Sequence, residues 1–132
     1  MEQLRVGIVG AGMAARYHVE CLRRVYGVQV EIAGVTSLRA ESRREFGDAR
    51  GIPVYDSLEA MLDHVDLVDV CSPPSAHVEG ILLAAKAGKH LIVEKPLTGY
   101  FGEPSDESFR GDTHPKSDML ARVMETLQTI AE

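Results

Sequence analysis

The turn at Gly10-Ala11-Gly12 has the residue types and spacing to hold a phosphate group. It follows an apolar run over residues 4–9 and opens a helical pattern, in which Ala15 completes a Gly-x-Gly-x-x-Ala spacing. Gly10 can adopt the backbone angles of a tight strand-to-helix turn, and Gly12 has no side chain to keep a phosphate away. Free N–H groups at the start of the helix would face that phosphate. The spacing therefore predicts dinucleotide binding.

Lys95 is the residue that could transfer a proton. It lies between Glu94 and Pro96, directly after another apolar run. A lysine in this position is often only solvated, which is the alternative interpretation. Beside an oxidised nicotinamide ring, which is cationic, the charged form of the lysine is disfavoured and the side chain can act as an acid or base. Because Lys95 follows a strand, we expect it at the edge of the sheet where the nicotinamide would lie.

A third group of candidate residues follows the apolar run over residues 67–71. We expect Ser72 and Pro73 to lie against the cofactor, and His77 to fix their loop by hydrogen bonding. The alternative is that His77 is a water-exposed residue in the first turn of a helix.

The residues that follow the apolar run at 28–35 indicate which dinucleotide is bound. In the NAD form of this fold an acidic residue there binds the ribose hydroxyls. This chain has Thr36 and Ser37 instead, followed by Arg39. A hydroxyl and a guanidinium would hold a 2′-phosphate through charge-assisted hydrogen bonds, which favours NADP over NAD. The alternative is a solvated basic helix face, which suits Arg43 and Arg44 better than Arg39.

The positions of these candidates depend on an alternation of strands and helices. We expect strands over residues 4–9, 28–35, 53–55, 67–71 and 90–94, and helices over 14–25, 40–46, 56–64, 75–87 and 117–132. A capping box at 56–59 and a cap at Ser75 would begin two of the helices. The alternation predicts a Rossmann-type doubly wound parallel α/β sheet of about five or six strands. Ligands of such sheets bind beyond the carboxyl ends of the strands, which each candidate group follows.

Residues 98–116 interrupt this alternation. They are rich in Gly, Pro, Ser and Asp and contain three aromatic residues, so we expect an insert loop that is either mobile or functional. The helix predicted over 117–132 has one apolar stripe, formed by Leu120, Val123, Met124, Leu127 and Ile130. A crossover helix with no further strand indicates an interrupted unit with a free sheet edge.

Composition limits the classes of function. The 132 residues fit one domain, residues 1–132, and the formal net charge of −6 argues against nucleic acid as a partner. We find no secretory signal and no apolar stretch that could span a membrane, and so expect a cytoplasmic protein. Cys21 and Cys71 lie in predicted buried elements with no metal-like spacing, so we expect two buried free thiols and no metal site.

The sequence resembles a known family over residues 4–97. The resemblance is to the N-terminal half of the glucose–fructose oxidoreductase / inositol dehydrogenase / MocA (Gfo/Idh/MocA) family. Four motifs carry it: the glycine fingerprint, Ser72-Pro73 with His77, Gly88-Lys89-His90, and Glu94-Lys95-Pro96-Leu97.

The resemblance implies NAD(P)-dependent hydride transfer to or from a hydroxyl-bearing carbon of a sugar, polyol or related compound. Lys95 would polarise the substrate oxygen or relay its proton, and Glu94 and Pro96 would hold it beside the nicotinamide. The remaining cofactor contacts would be Gly10, Gly12, Met13 and Ala14 at the pyrophosphate and Thr36, Ser37 and Arg39 at the adenosine ribose.

The sequence departs from the family pattern in ways that limit this expectation. Members have a second, substrate-binding domain with an Asp-x-x-x-His pair, which these residues lack. We therefore expect a cofactor domain without its C-terminal substrate domain, inactive alone and part of a homo-oligomer when full length. The insert at 98–116 and Pro74 also differ from the usual pattern. The alternative function is a nucleotide-sensing or structural binding module, for which Lys95 would serve no purpose.

Overall fold

The computed structural model describes residues 2–132 and contains a parallel sheet of four strands. The strands are β1 (Gln3–Val9), β2 (Gln29–Thr36), β3 (Leu67–Val70) and β4 (His90–Val93). The helices are α1 (Met13–Leu22), α2 (Ala40–Asp48), α3 (Leu58–Leu62), α4 (His77–Lys86) and α5 (Lys116–Ala131), and a 3₁₀ turn over Pro74–Ala76 precedes α4. In space the strands follow the order β2-β1-β3-β4. The predicted Rossmann-type α/β fold is confirmed.

Helices cover both faces of the sheet because the strands are apolar on both sides. Val6 and Ile8 of β1 are fully buried in a cluster that includes Val19 of α1 and Phe46 of α2. The opposite face forms a second cluster around Met61. Strands buried on both faces are typical of parallel sheets with crossover helices.

Two glycines allow α3 to approach the second face closely. Gly7 and Gly34 pair with each other across β1 and β2. A Cβ atom on Gly7 would lie 2.8 Å from the Met61 side chain, and one on Gly34 would lie 2.6 Å from Tyr55. The absence of side chains at these positions makes room for the helix and the aromatic ring.

The prediction of about five or six strands is wrong for the described residues. Residues 53–55 form only an isolated parallel bridge, in which Val54 pairs with Val35 of β2. Pro53 has no N–H group and contributes only its carbonyl oxygen, which accepts from Val35 N at 2.9 Å. The bridge still lies beside β2, where the third strand of a doubly wound sheet belongs.

Two predicted helix starts also need correction. The cap of α3 is Ser57, whose hydroxyl accepts a hydrogen bond from Ala60 N at 3.1 Å, so the helix begins one residue later than a cap at Asp56 would place it. Ser75 does not cap α4, because it lies inside the 3₁₀ turn and the helix has no side-chain cap.

One of the two cysteines that we predicted to be buried is not. Cys21 is exposed, whereas Cys71 is buried as expected. Cys21 lies two positions after the buried Val19, which places it about 200° around the helix. On α5, which packs against α4, Leu120 and Met124 of the predicted stripe are exposed, at 62% and 57%. None of the described helices is long and apolar enough to cross a membrane.

Aromatic residues of the insert pack against one another, and Arg122 joins this group to α5. The rings of Tyr100, Phe109 and His114 lie 5.3–5.4 Å apart in each pair. Arg122 of α5 lies over the Tyr100 ring and donates to Glu103 at 3.0 Å. The side chains of the insert thus form a small cluster of their own.

Candidate nucleotide-binding site

A cavity of about 720 Å³ opens beyond the carboxyl ends of β1, β2 and β3. It brings together seven of the predicted site residues: Gly10, Gly12, Thr36, Ser37, Arg39, Ser72 and Pro73. The other five do not line it. Met13 and Ala14 follow in the first turn of α1, His77 lies buried behind the Ser72 loop, and Glu94 and Lys95 follow β4.

Gly10 fixes the turn at the mouth of this cavity. Its φ of 119° lies in the region that favours glycine, and a Cβ atom there would lie 2.7 Å from the Cys71 carbonyl oxygen. Gly10 N donates to Thr36 O at 2.8 Å. The turn is therefore held between the ends of β2 and β3, and no other residue type fits it without movement.

Gly12 leaves the start of α1 open. It is the N-cap residue, and no side chain hydrogen-bonds to the first turn. A Cβ atom on Gly12 would have nothing within 4 Å, so the space in front of the helix is clear. Unpaired N–H groups facing open space form an anion site, and a pyrophosphate fits there.

The end of β2 presents hydroxyl groups and one free guanidinium to the cavity. Thr36 is buried, and the half-buried Ser37 donates from its hydroxyl to Arg39 O at 3.2 Å. Arg39 is exposed at the N-cap of α2, and none of the groups in residues 2–132 accepts a hydrogen bond from its side chain.

Arg43 is a lining residue that the sequence interpretation assigned to solvent. Its side chain is only 11% exposed, and it donates to Ser37 O at 3.0 Å and to Asp56 Oδ1 at 2.9 Å. The expectation of a solvated face therefore fails for Arg43 and holds for the exposed Arg44. The spacing to Arg39 was the available signal, because positions four apart share one face of a helix.

His77 joins two of the loops at the sheet edge. It is fully buried, with Nε2 2.8 Å from Ser72 O and Nδ1 2.9 Å from Pro96 O. The predicted hydrogen bonding is present, and the alternative of a water-exposed residue is wrong. A neutral imidazole carries one N–H and donates to one of these carbonyl oxygens, whereas the protonated ring donates to both.

Lys95 lies at the end of β4 with its backbone fixed and its side chain exposed. Lys95 N donates to Glu94 Oε2 at 2.9 Å. No hydrogen-bond acceptor or carboxylate among residues 2–132 pairs with the amino group of Lys95. The group is free to meet a ligand at this edge.

Glu94 belongs to a hydrogen-bonded cluster that no sequence motif indicated. His18 of α1 lies between two carboxylates, with Nδ1 2.9 Å from Asp69 Oδ2 and Nε2 3.2 Å from Glu94 Oε1. Asp69 is fully buried, and the Cys71 thiol donates to its Oδ1 at 3.4 Å.

The pKa values in this cluster follow from the contacts. Burial lowers the pKa of His18, but hydrogen bonds to Asp69 and Glu94 outweigh it, and the net direction is upward. The hydrogen bonds from His18 and from Lys95 N lower the pKa of Glu94. Burial, reinforced by Asp69, raises the pKa of the Cys71 thiol, so this cysteine is a protonated, unreactive group.

The opposite end of the sheet has a structural ion pair. Arg5 Nη2 lies 2.6 Å from Asp66 Oδ1, and the hydrogen bonds from Arg5 lower the pKa of Asp66 to about 2. This pair joins β1 to the start of β3 and lies away from the cavity.

The fold and the cavity define a dinucleotide-binding Rossmann domain. A glycine turn opens a helix between the ends of adjacent parallel strands, where the strand order reverses and ligands of such sheets bind. The chain belongs to the GFO_IDH_MocA family, described as an oxidoreductase family with an NAD-binding Rossmann fold, whose sequence profile matches residues 4–106. The resemblance predicted from the motifs is confirmed.

Named relatives support the same assignment over part of their length. A UDP-N-acetylglucosamine 3-dehydrogenase of Acidithiobacillus ferrooxidans is 32% identical over 74% of this chain and 30% of its own length. An inositol 2-dehydrogenase of Cereibacter sphaeroides is 35% identical over 71% of this chain and 28% of its own. The crystal structure of GenD2 from gentamicin A biosynthesis in complex with NAD has a TM-score of 0.69 and 28% identity, covering 74% of this chain and 28% of that one. The chain spans about 30% of the length of the curated relatives it matches.

Proposed function

We propose that this chain is the cofactor-binding domain of an oxidoreductase that transfers hydride between a nicotinamide and a hydroxyl-bearing carbon of a sugar, polyol or related compound. One observation carries the proposal: the open start of α1 and the free Lys95 lie at the same, carboxyl-terminal edge of the sheet. A domain that only sensed a nucleotide would need the first feature and not the second.

Each site residue has a part that its chemistry suits. The turn from Gly10 to Ala14 binds the pyrophosphate through backbone N–H groups. Ser72 and Pro73 lie against the cofactor, and His77 holds their loop. The bound cofactor supplies or accepts the hydride. Lys95 relays the proton of the substrate oxygen: it takes the hydroxyl proton when the carbon is oxidised and returns it when the carbonyl is reduced. Its amino group has no hydrogen-bond partner among residues 2–132 that the substrate would have to displace.

The names of the relatives support the substrate class. One acts on a UDP-linked amino sugar and another on inositol. Both names describe oxidation at a ring carbon, which suits a hydride acceptor and a nearby base. We extend the class, and not either substrate, to this chain.

NADP is the proposed preference within the NAD-binding family. Arg39 is the free guanidinium at the end of β2, and Ser37 offers a hydroxyl beside it, which together suit a 2′-phosphate. Arg43 adds a second positive charge, although Asp56 already pairs with it. A cytoplasmic location and self-association of the full-length protein complete the proposal.

Gly12→Val tests whether the open start of α1 binds the cofactor. The backbone at Gly12, with φ −94° and ψ −159°, accepts valine, and a Cβ atom there has nothing within 4 Å. We expect unchanged folding and a loss of NADH affinity of roughly tenfold or more, since the side chain fills the phosphate site. Fluorescence titration of the 132-residue chain measures this. Ala131→Val, on the exposed end of α5, is the control, and equal affinity in all three proteins would reject the site.

A further inference from the structure

The cluster of His18, Asp69, Cys71 and Glu94, here called the His18 cluster, lies beside the cofactor cavity, and of its members Cys71 lines that cavity. Its members come from three places in the fold: α1, the end of β3 and the residue after β4. Asp69 is a carboxylate with no exposed surface, which is costly to bury unless it is paired. The contacts it makes are therefore strong restraints on what surrounds it.

A continuous chain of hydrogen bonds runs from Asp69 to the backbone of Lys95. His18 Nδ1 contacts Asp69 at 2.9 Å, His18 Nε2 contacts Glu94 Oε1 at 3.2 Å, and Lys95 N donates to Glu94 Oε2 at 2.9 Å. The buried end of this chain is fixed by β3. The exposed end is the peptide group that carries the Lys95 side chain.

The middle link depends on a proton. A doubly protonated imidazole donates to both carboxylates, whereas a neutral ring donates to one and turns a lone pair toward the other. The groups that face the ring are the carboxylates of Asp69 and Glu94, with the Cys71 thiol bonded to Asp69. Among residues 2–132, His18 is the sole cationic side chain in contact with either carboxylate. The raised pKa of His18 agrees with this arrangement.

We propose that His18 is a positioning residue for Lys95. The protonated His18 ring bonds Glu94 to the buried Asp69 and thereby fixes the Lys95 backbone. Loss of the proton frees Glu94 and loosens the lysine. His77 restrains the same segment from its other end through Pro96 O, but without a carboxylate partner. The importance of the clamp for catalysis rests on the proposed function, which gives Lys95 its role.

Nuclear magnetic resonance of the isotopically labelled chain tests the clamp without any cofactor. The ring signals of His18 report its protonation, and the amide signal of Lys95 reports the hydrogen bond to Glu94. Both are followed through the range, about pH 5 to 9, in which a histidine titrates. We expect the Lys95 amide to shift with the same midpoint as the His18 ring, at a pH above 6.5, the ordinary pKa of histidine.

Three variants separate this coupling from general effects of pH. In His18→Gln the Lys95 amide should lose its titration in this range. In Asp69→Asn the midpoints of both groups should fall together, because one carboxylate is gone. His114→Gln is the matched control, because His114 lies away from the site, with its Nε2 2.6 Å from Asp118 Oδ2. This variant should leave the Lys95 titration unchanged.

A Lys95 amide that ignores the His18 titration, or that still titrates in His18→Gln, would overturn the proposal. The second result would show that a group other than His18 causes the shift of the Lys95 amide. NADH titration of the same samples tests the proposed function separately. Binding without coupling rejects the clamp alone, and coupling without binding supports the clamp while rejecting the function.

Discussion

Replacing His77 by leucine should destabilise the domain by an amount that its contacts set. Leucine retains most of the apolar volume of the buried ring, so little cavity results. The variant removes the ring nitrogens that contact Ser72 O and Pro96 O, so a buried carbonyl oxygen loses its donor. Leaving such a group unsatisfied costs about 1–3 kcal/mol, and the free energy of unfolding should fall by about that amount.

Urea denaturation followed by circular dichroism measures this change. His90→Leu is the matched control, because His90 is exposed and its side chain has no hydrogen-bond partner among the described residues. A surface change of this kind usually stays within about 0.5 kcal/mol. His77→Gln keeps one donor and should fall between the control and His77→Leu. If His77→Leu matched His90→Leu within error, the two carbonyl contacts would not stabilise the fold as argued.

Three further predictions test other parts of the molecule. Arg39→Ala should weaken NADPH binding by about 1–3 kcal/mol more than it weakens NADH binding, which is the range for hydrogen bonds to a charged group. Fluorescence titration measures both affinities, and equal affinity of the parent chain for the two cofactors would contradict this prediction. Because the folded pKa of His18 is raised, its stabilisation is complete below the unfolded value of 6.5 and is lost as the pH rises through the folded value. Urea titrations at several pH values should show that loss in the parent, and a parallel loss in His18→Gln would refute it. The free edge of β4, where Ile92 is 39% exposed, should cause concentration-dependent association that Ile92→Lys reduces; light scattering that finds a monomeric parent at high concentration would reject this.

The sequence was sufficient for the features that depend on local rules. The glycine turn, the order of the elements and the placing of candidate groups after strands follow from spacing and from the geometry of parallel sheets. The weak third strand shows the limit of such rules. Pro53, Val54 and Tyr55 have strand-like residue types, but residues 53–55 make only one bridge to β2. Pairing depends on the backbone of both partners, which residue type alone does not specify.

The His18 cluster could not be predicted because its members are distant in sequence. His18 and Asp69 are 51 positions apart, and His18 and Glu94 are 76 apart. No local spacing joins a helix residue, an inward-facing strand residue and a residue after the last strand. Asp69 offered an indirect signal, since a carboxylate inside an apolar strand requires a partner. The sequence does not say which of the five histidines supplies it.

The loops at the carboxyl edge are held to one another before any ligand binds. Gly10 connects the loop after β1 to the end of β2. His77 connects the loop after β3 to the segment after β4, and His18 connects that segment to β3. Fixing loops in advance reduces the ordering that binding would otherwise require, and so leaves more of the contact energy as affinity. Within residues 2–132, two long cations, Arg39 and Lys95, have no side-chain partner, and they lie at opposite sides of this edge. They are the side chains that would meet the two ends of a bound dinucleotide, so the same framework that fixes the backbone leaves its charges free for the ligand.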